Sequence, residues 1–511
     1  MIRLTLAEIA AITGGELMLP RGDDPPQTPP AHGGTSRPPI SPWVTGPVVI
    51  DSRRVEPGGL FAALPGERVD GHGFAPAAIA AGAAAVLVSR PVPGVPAIVV
   101  PDVTAALAAL AAAVLRRLPA ATVIGITGSS GKTSTKDLTA QLAERLGPTV
   151  APEGSFNNEI GLPLTVLRAD HETRYLVLEM SARGPGHIAA LCEIAPPKIG
   201  AVLNVGRAHA GEFGSLDGVA KAKGELPEAL PADGVAILNA DDPRVIAMAT
   251  STAARIVTFS ASGGRPPQAL LNGGTPAPHT PRPYRGTPPP HTPPADITAA
   301  DIRLDELGRA SFRLLMPGGV APVALTVHGA HHVPNALAAA AIAAELGMDT
   351  PAIADALSQA TARSKRRMEL RERPDGVLVI NDSYNANPES MRAAIDALAH
   401  ITRDGRRGFA VLGHMAELGD IAKPSHEEAG HLAARARVAG LIAVGDEARA
   451  VIDGARAEPG WHGEALAVPD AETAVAVLRN QLRPGDVVLV KASKAAGLWE
   501  VADGLLAEVS R

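Results

Sequence analysis

The segment GITGSSGKTSTKD, residues 125–137, has the residue types of a turn that binds phosphate. The common P-loop, G-x-x-x-x-G-K-[ST], would place its first glycine at Ile126, so the match to that pattern is incomplete. An apolar run precedes the turn and a helix-forming run follows it, which would aim backbone N–H groups at an anion. Lys132 would neutralise phosphate charge, and the Thr133 hydroxyl would ligate Mg²⁺. The pattern favours a nucleotide site over an ordinary glycine-rich strand–helix turn, but it names no reaction.

Three side chains beyond this turn could complete a metal site. Glu179 ends the apolar run RYLVLEMS, where a carboxylate is a candidate Mg²⁺ ligand and a solvated strand end is the alternative. His209 follows the run IGAVLNVG, although a single histidine is more often a packing residue. Lys223 follows in an alanine-flanked helix; as a cation it cannot ligate Mg²⁺, but a neutral lysine can take up CO₂ to form a carbamate. That modification requires a pKa lowered by burial, which the sequence permits without establishing.

The composition argues against several other classes of function. Apolar residues make up 46% of the 511 positions and charged residues 20%, so most of the chain can bury a core. A net charge of −6 and an aromatic content of 3% do not provide the basic surface or the stacking platform of a nucleic-acid-binding protein. The single cysteine, Cys192, cannot form an internal disulfide, which fits a reducing cytosol.

The sequence has no segment typical of a signal peptide or a membrane span. The first residues, MIRLTLAEIAAITGGEL, lack a basic region and carry Glu8 early. The most apolar run, residues 103–115, is too short to span a bilayer and predicts a buried helix between Asp102 and Arg116. We expect a cytoplasmic protein that neither inserts into a membrane nor binds nucleic acid. Our working expectation for the oligomeric state, which no motif specifies, is a monomer.

Alternating apolar strands and alanine-rich helices predict an α/β protein with two parallel sheets and a separate N-terminal unit. Apolar runs that end in glycine or polar residues are typical of parallel strands covered on both faces. They fall at residues 121–128, 175–181, 199–206 and 234–243, and in a second set at 376–388, 407–419, 441–446 and 486–494. Together with the length, these sets predict three domains, at residues 1–119, 120–363 and 364–511.

Two proline-rich segments, 21–47 and 262–296, interrupt this alternation. Proline lacks an N–H donor and fixes φ, so neither segment can form a packed helix or a central strand. We interpret both as surface insertions, and the alternative is a proline-rich ligand for a partner protein.

Together, these motifs resemble those of the Mur ligases of peptidoglycan synthesis. The phosphate loop of that family, G-x-x-G-K-T-[ST], matches Gly128–Ser134 at every position. Further matching blocks cover most of the chain outside the proline-rich segments: DSRRVEPGGLFAALPGERVDGHGF, SFNNEIGLPLTVL, LEMSARGPGHI, AHAGEFGSLDGVAKAKGE, NADDP, DSYNANPESMRAAIDAL and LGHMAELGD. The last two are most similar to the MurF-type branch, which adds D-alanyl-D-alanine to UDP-N-acetylmuramoyl-tripeptide.

The resemblance implies an ATP-dependent amide ligase with a role in cell-wall biogenesis, cell shape and cell division. It implies an N-terminal α/β domain that binds the UDP-sugar, a central P-loop ATPase domain with a parallel sheet and a C-terminal Rossmann-like α/β domain. ATP would convert the tripeptide carboxylate into an acyl phosphate, and the amine of D-alanyl-D-alanine would then displace phosphate. Closure about a hinge near residues 361–366 would exclude water from the acyl phosphate.

The resemblance also implies roles for individual residues. ATP would be held by Gly128, Ser129, Ser130, Gly131, Lys132, Thr133, Ser134, Asn335, Arg367, Asp382 and Asn385. Two Mg²⁺ ions would be bound by Thr133, Glu179, His209 and Lys223, the last as its carbamate. Lys132, Lys223, His209 and Arg367 would form the catalytic set. The uridine diphosphate would contact Ser52 and Arg53, and the muramoyl-peptide would contact Asn157, Asn158 and Asn387.

Five positions depart from the family pattern: His332, Arg366, His414, Ala492 and Lys494. In the family, asparagine is usual at the position of His332, glycine at that of Arg366 and an acid at that of His414, while KASK replaces a usual KGSR at Ala492 and Lys494. Lysine does not reproduce the bidentate carboxylate contact of arginine, and the departures concern adenine or dipeptide contacts. The alternative functions are a diaminopimelate- or lysine-adding Mur ligase, a folylpolyglutamate synthase, a P-loop ATPase or kinase, and a non-catalytic nucleotide-binding scaffold. The blocks DSYNANP and DSRRVEPGG favour the MurF type. The sequence does not specify whether the third residue of the tripeptide is diaminopimelate or lysine.

Overall fold

The structure is a computed structural model that describes residues 1–20, 42–66, 69–207, 213–263 and 295–507. It divides into two compact units. The first unit comprises Met1–Ile124, Gly147–Met180 and Ala189–Pro197. The second comprises Gly125–Leu146, Ser181–Ile188 and Lys198–Arg511.

Strands and helices alternate along the described chain. The strands are β1 (Leu4–Thr5), β2 (Glu16–Met18), β3 (Trp43–Val44), β4 (Val48–Val49), β5 (Leu60–Ala62), β6 (Ala85–Val88), β7 (Ala97–Val99), β8 (Thr122–Thr127), β9 (Thr149–Val150), β10 (Tyr175–Glu179), β11 (Ile199–Val202), β12 (Val235–Asn239), β13 (Arg255–Ser260), β14 (Ile297–Leu304), β15 (Arg309–Met316), β16 (Gly319–His328), β17 (Glu369–Glu372), β18 (Leu378–Asp382), β19 (Gly408–Leu412), β20 (Gly440–Val444), β21 (Glu464–Val468) and β22 (Val487–Lys491). The helices are α1 (Leu6–Thr13), α2 (Ala75–Ala80), α3 (Val103–Arg116), α4 (Lys132–Glu144), α5 (Gly161–Val166), α6 (His187–Ile194), α7 (Leu216–Glu228), α8 (Pro243–Ala247), α9 (His332–Glu345), α10 (Thr350–Gln359), α11 (Pro388–Thr402), α12 (Ala422–Arg435), α13 (Ala450–Arg456), α14 (Ala471–Gln481) and α15 (Trp499–Ala507). Short 3₁₀ helices occupy Ser52–Arg54, Gly71–Phe74, Met248–Thr250, Gly419–Ile421, Asp446–Ala448 and Lys494–Ala496.

In the first unit, five strands form a sheet in the order β2-β7-β6-β5-β4. Neighbouring strands are parallel except β2, which is antiparallel to β7. β1 and β3 form a separate antiparallel pair, and β9 is parallel to β10. Phe61, Val86 and Val88 belong to one apolar core with the buried alanines of α2, so β5 and β6 pack against this helix.

In the second unit, strands β11 to β16 are neighbours in chain order. They are parallel from β11 to β14 and antiparallel from β14 to β16. In β15 and β16 buried and exposed residues alternate, as expected of antiparallel strands with one solvated face. The alanine-rich helix α9 is almost entirely buried and packs against α4, the helix that follows the phosphate turn.

The last part of the second unit is a six-stranded sheet in the order β17-β18-β22-β19-β20-β21. All its neighbours are parallel except β17, which is antiparallel to β18 at one edge. Helices α11, α12 and α13 cover one face, and α14 and α15 cover the other. Leu378 and Ile380 of β18 face one core and Val379 the other, which follows the two-residue period of a strand.

The α/β prediction is confirmed, and each predicted apolar run contains a strand. The predicted runs are longer than the strands because they include the polar residues that form loops after each strand, as at 376–388 against Leu378–Asp382. The apolar run at 103–115 is the buried helix α3, capped by Asp102, whose Oδ1 accepts from Thr104 N–H at 2.7 Å. Among the helices that the structure describes, none is long and apolar enough to cross a bilayer.

The predicted limits of the proline-rich insertions need a correction. Residues 21–41 and 264–294 lie outside the described residues. Residues 42–47, however, belong to the first unit, where Val44 is fully buried and β3 pairs with β1. The apolar residues Trp43 and Val44 interrupt the proline pattern, which is why this end of the segment can pair as a short strand.

Candidate active site

The phosphate turn, Gly128–Gly131, connects β8 to α4 in the second unit and is held by the loop after β11. Asn204 Oδ1 accepts from Ser130 N–H at 2.9 Å, and the Asn204 carbonyl accepts from Ser129 N–H at 3.1 Å. Gly206 N–H donates to Ser129 Oγ at 2.8 Å. These bonds fix the shape of the turn independently of any ligand.

The N-terminus of α4 is suited to an anion. Gly131 is its N-cap at a φ of 80°, and it has no side chain to cap the first N–H groups of the helix. The positive φ favours glycine, and a Cβ atom at Gly131 would lie 2.4 Å from Asn335 Oδ1 on α9, so any other residue would displace the Asn335 amide. Lys132 Nζ donates to the Gly128 carbonyl at 2.7 Å, which holds the ammonium over the turn. Thr133, the next residue, is buried.

Lys223, on α7 of the same unit, is a buried amine that has no counter-ion among the residues that the structure describes. Only 4% of the residue is exposed, and its amine forms no hydrogen bond or ion pair with the described residues. Burial, and secondarily the positive charge of Lys132, lowers the pKa of Lys223 to about 7. A substantial fraction of this amine is therefore neutral near pH 7, and the neutral form is the one that reacts with CO₂.

Two predicted residues of the first unit are paired with each other. Glu179, the last residue of β10, is 1% exposed. Its Oε1 accepts from Asn157 Nδ2 at 2.7 Å. Asn157 therefore orients the carboxylate that the sequence predicts as a Mg²⁺ ligand. The neighbouring Asn158 instead accepts from the Gly161 N–H at 2.9 Å, at the start of α5.

The predicted uridine-diphosphate residues, Ser52 and Arg53, lie in a 3₁₀ turn of the first unit. Asp51 caps this turn by accepting from the Arg53 N–H at 3.0 Å, and it also accepts from the Arg53 guanidinium at 2.8 Å. The guanidinium of Arg53 holds the pKa of Asp51 at about 2. The Arg53 side chain is 87% exposed, so it remains accessible to a ligand.

The loop after β18, with the sequence DSYNANP, contacts the phosphate turn. Asn387 Nδ2 donates to the Ser129 carbonyl at 3.3 Å, and both residues are buried. Arg367 Nη2 donates to Thr133 Oγ1 at 3.2 Å, and its guanidinium lies 4.4 Å from the centre of the Tyr384 ring. The structure therefore brings two of the predicted residues into contact with this region: Asn387 contacts the phosphate turn, and Arg367 contacts the start of α4.

Asp382, at the end of β18, forms a buried ion pair with Lys491 at the end of β22. Lys491 Nζ donates to Asp382 Oδ2 at 2.6 Å and to the carbonyl of the exposed Asn385 at 2.9 Å. Asp382 Oδ1 accepts from Met368 N–H at 3.1 Å. Burial lowers the pKa of Lys491, and the charge of Asp382 opposes that change. This pair fixes the start of the DSYNANP loop at the carboxyl ends of two neighbouring strands.

The structure explains one departure from the family pattern. Arg366 has a φ of 62°, in the left-handed region that favours glycine, which is the residue usual at this position. Its guanidinium lies 4.2 Å from the centre of the Trp499 ring, and this contact offsets part of the backbone strain.

The other departures lie in two clusters. His332 is buried beside His331, with ring centres 4.3 Å apart, and desolvation lowers its pKa well below the ordinary value. His414 stacks on His426 at 5.5 Å between ring centres. Ala492 is buried, and Lys494 Nζ lies 5.9 Å from the centre of the Tyr384 ring.

His209 lies outside the described residues, which resume at Phe213. Within the described part of the chain, no group of three or more histidine, cysteine, aspartate or glutamate side chains could hold a metal ion. The ligand set that the sequence predicts differs from such a group, because it includes a hydroxyl and a modified lysine.

Models of three domains from one family match the chain. The Mur ligase family catalytic domain matches residues 47–117, the Mur ligase middle domain matches 126–343, and the Mur ligase glutamate ligase domain matches 366–494. The chain belongs to the Mur ligase family.

Individual relatives agree with this assignment. A UDP-N-acetylmuramoyl-tripeptide–D-alanyl-D-alanine ligase of Mycobacterium tuberculosis is 49% identical, over 99% of this chain and 98% of the relative. A crystal structure of MurF from Acinetobacter baumannii has a TM-score of 0.78 at 29% identity, with 99% of each chain covered. A MurF ligase from Thermotoga maritima in complex with ADP has a TM-score of 0.73 at 28% identity, covering 91% of this chain and 98% of that one.

The residues of this Mur ligase fit a nucleotide phosphate and Mg²⁺. The uncapped N-terminus of α4, the space at Gly131 and the ammonium of Lys132 form a cationic cradle. The buried Thr133 hydroxyl and the buried Glu179 carboxylate are the oxygen donors that Mg²⁺ prefers. Lys223 would become such a donor as its carbamate, and the lowered pKa of its amine favours that form.

Three residues of this site have no role in the sequence prediction. Asn204 holds the phosphate turn, Lys491 pairs with Asp382, and Glu389 accepts from the Arg207 N–H at 2.9 Å. Asn204 and Lys491 each stand at the carboxyl end of an apolar run, the position at which ligands bind in parallel sheets. That position was the available signal; for Glu389, in the first turn of a helix, the sequence offered none.

Proposed function

We propose that this Mur ligase uses ATP to join D-alanyl-D-alanine to UDP-N-acetylmuramoyl-tripeptide in peptidoglycan precursor synthesis. The M. tuberculosis relative with this name covers nearly the whole chain, and the T. maritima neighbour was solved with ADP. The observation that carries the proposal is the hydrogen bond from Asn387 to Ser129. It joins DSYNANP, the block most similar to the D-alanyl-D-alanine-adding branch, to the phosphate turn.

The first step would activate the tripeptide carboxylate. ATP would bind with its β- and γ-phosphates at Gly128–Ser134, where Lys132 neutralises phosphate charge. Arg367, bonded to Thr133 at 3.2 Å, would add a second cation beside the same phosphates. A carboxylate oxygen attacks the γ-phosphorus while the bond to ADP breaks, which gives an acyl phosphate. Lys132 and Arg367 stabilise the charge that spreads over the transferring phosphoryl group.

Thr133, Glu179, His209 and the Lys223 carbamate would hold two Mg²⁺ ions. Bound Mg²⁺ supplies charge neutralisation to the phosphates. Asn157 keeps Glu179 Oε1 in one orientation through its 2.7 Å hydrogen bond.

Lys223 would act as a carbamate rather than as an ammonium. Burial makes the ammonium form of Lys223 costly, and Lys132 adds a repulsive like charge. Carbamylation replaces that cation by an anion, which Lys132 attracts. The reaction consumes the neutral amine and CO₂ and releases one proton. Lys223→Ala should lose activity, and added short-chain carboxylates should restore part of it; an active Lys223→Ala without additives would contradict this role.

The second step would form the amide. The ammonium of D-alanyl-D-alanine first loses a proton to solvent, and the free amine then attacks the acyl carbon. The tetrahedral intermediate expels phosphate, which carries away one N–H proton as the amide forms. Water must be excluded, because it would hydrolyse the acyl phosphate. Asn385 and Asn387, on the loop that contacts the phosphate turn, would contribute to this closure.

The bend for such a closure would lie slightly beyond the predicted 361–366. Ser364 N–H donates to Asp137 Oδ2 at 2.9 Å, and Thr361 N–H donates to Gln141 Oε1 at 3.0 Å, so residues 361–364 are tied to α4. Arg366 and Met368, with positive φ, follow directly. We place the bend at 365–368.

The remaining assignments extend this proposal. Ser52 and Arg53 would bind the uridine diphosphate, and Asn158 would lie near the muramoyl-peptide carboxylate. Asn335 and Asp382 would contact the nucleotide from α9 and from the C-terminal sheet. The functional domains would be 1–119, 120–363 and 364–511. The enzyme would work in the cytoplasm as a monomer.

Phosphate release from ATP tests the proposal. It should require both UDP-N-acetylmuramoyl-tripeptide and D-alanyl-D-alanine, and it should yield the corresponding pentapeptide. Equal release without the dipeptide would indicate an ATPase or a kinase. Equal turnover of UDP-N-acetylmuramoyl-dipeptide with diaminopimelate or lysine would indicate another branch of the family.

A further inference from the structure

A cavity of about 340 Å³ lies between α11 and α12 in the second unit, beside the end of the loop that holds the phosphate turn. Its volume is near the lower end for small-molecule sites, which span roughly 300–1,000 Å³. The buried side chains of Met391 and Leu432 form an apolar floor, while Arg207 and Arg392 are exposed at its edge. The cavity thus combines an apolar surface with two cations.

Glu389 supplies an anion in the same cavity. Its Oε1 accepts from the Arg207 N–H at 2.9 Å. Its Oε2 is buried and has no hydrogen-bond partner in the part of the chain that the structure describes. A buried carboxylate oxygen without a donor is costly, and an ammonium or an N–H group would satisfy it. The position in the first turn of α11 stabilises the negative charge but supplies no bond to Oε2.

A single residue, Gly206, lies between the Glu389 carboxylate and the phosphate turn. Gly206 N–H donates to Ser129 Oγ at 2.8 Å on one side. On the other side, a Cβ atom at Gly206 would lie 2.8 Å from Glu389 Cδ, so no side chain fits between them. A ligand amine that binds Glu389 Oε2, once the carboxylate turns from Gly206 toward the cavity, would therefore lie close to the phosphate turn.

We propose that this cavity binds the amine substrate, a short zwitterionic peptide with small apolar side chains. The ammonium binds at the Glu389 carboxylate after this side chain turns toward the cavity, the ligand carboxylate binds at Arg392, and the methyl groups lie on Met391 and Leu432. This inference rests on the proposed ligase function and adds the location of its second substrate. Arg392 now pairs with Glu428 at 2.9 Å, an exposed pair that a ligand carboxylate can replace at small cost.

The test uses the full-length enzyme and two charge-removing variants. Glu389→Gln keeps the shape and the acceptor for the Arg207 N–H, and Arg392→Gln removes the cation. Each should raise the KM for D-alanyl-D-alanine about ten- to hundredfold, as expected for one lost charge-assisted hydrogen bond. The KM values for ATP and for the UDP-tripeptide should stay within about twofold. Arg403→Gln, an exposed arginine just after α11, is the matched control and should change none of the three.

A substrate analogue separates binding from a general structural effect. Wild-type enzyme should prefer D-alanyl-D-alanine to its C-terminal amide, and Arg392→Gln should lose that preference because the cation that reads the carboxylate is gone. Undiminished discrimination in Arg392→Gln overturns the proposal, as does an unchanged dipeptide KM in a folded Glu389→Gln. If Glu389→Gln does not fold, the Arg392→Gln comparison decides alone. Wild-type enzyme without dipeptide-dependent phosphate release would instead refute the ligase function itself.

Discussion

Replacing Lys223 by methionine should stabilise the second unit although it abolishes ligase activity. Folding buries the amine and lowers its pKa from 10.5 to about 7. Above pH 10.5 the amine is neutral in both the folded and the unfolded state, so its protonation does not change the free energy of unfolding. As the pH falls from 10.5 to 7, the unfolded chain binds a proton that the folded chain does not, so stability falls by about 1.4 kcal/mol per pH unit. At pH 7.5 this loss reaches about 4 kcal/mol.

Methionine has a similar length and no charge. Lys223→Met should therefore raise the free energy of unfolding at pH 7.5 by about 2–4 kcal/mol, and any packing mismatch reduces this gain. The assay is urea unfolding in CO₂-free buffer at several pH values, followed by tryptophan fluorescence, since Trp461 and Trp499 lie in the second unit. The gain over wild type should shrink as the pH rises toward 10.5. Lys221→Met, an exposed neighbour on α7, is the matched control and should give no such trend.

Equal stability of wild type and Lys223→Met at pH 7.5, or a difference that does not depend on pH, would refute the reasoning, because the amine would then be charged in the folded protein. Added bicarbonate gives an independent check. It should stabilise wild type by mass action, through the carbamate, and leave Lys223→Met unchanged.

Three further substitutions have defined outcomes. Gly131→Ala places a side chain on Asn335 at positive φ, and it should abolish binding of an ATP analogue in calorimetry. Arg366→Gly relieves about 1–2 kcal/mol of strain from the left-handed backbone conformation. It also loses the contact with the Trp499 ring and increases the entropy of the unfolded chain, and each of these costs about 0.5–1 kcal/mol. The free energy of unfolding measured in urea should therefore change by less than about 1 kcal/mol. Lys491→Met leaves Asp382 as an unpaired buried charge and should cost about 3–5 kcal/mol of unfolding free energy. Adding Asp382→Asn to Lys491→Met should recover part of that cost.

Each of these outcomes can be contradicted. Unchanged nucleotide affinity in Gly131→Ala would show that the turn tolerates a Cβ atom. A loss of more than about 2 kcal/mol in Arg366→Gly would mean that the ring contact outweighs the strain. A Lys491→Met variant as stable as wild type, with no effect of the second substitution, would show that the Asp382 carboxyl is not charged in the folded state.

The sequence predicted the parts of the fold that depend on local pattern. The turn at Gly128–Gly131 was predictable because the required backbone conformation selects glycine, and α3 because Asp102 caps a short apolar run. The parallel strands were predictable because each is an apolar run. Their ends were not predictable, because the sequence does not show where the chain leaves the strand and the loop begins.

The antiparallel strands β14 to β16 were not predicted, although residues in β15 and β16 alternate between buried and exposed. No strand is predicted between residues 297 and 330, where the adjacent proline-rich segment, 262–296, obscures the alternation. A two-residue period beyond residue 296 was the available signal.

Contacts between segments that are far apart in sequence could not be predicted from local sequence patterns. The Lys491–Asp382 pair and the position of Glu389 beside Gly206 depend on how strands and loops that are far apart in sequence meet. The family resemblance suggested roles for residues such as Asn387, but only the three-dimensional arrangement brings its amide to Ser129.

The most direct test of the central claim follows one oxygen atom. UDP-N-acetylmuramoyl-tripeptide labelled with ¹⁸O in its acceptor carboxylate is incubated with ATP, D-alanyl-D-alanine and the enzyme, and both products are analysed by mass spectrometry. Ligation through an acyl phosphate predicts one ¹⁸O atom in the released phosphate for each pentapeptide formed, because the attacking carboxylate oxygen leaves with phosphate. Unlabelled phosphate, or labelled phosphate without pentapeptide, would contradict the account.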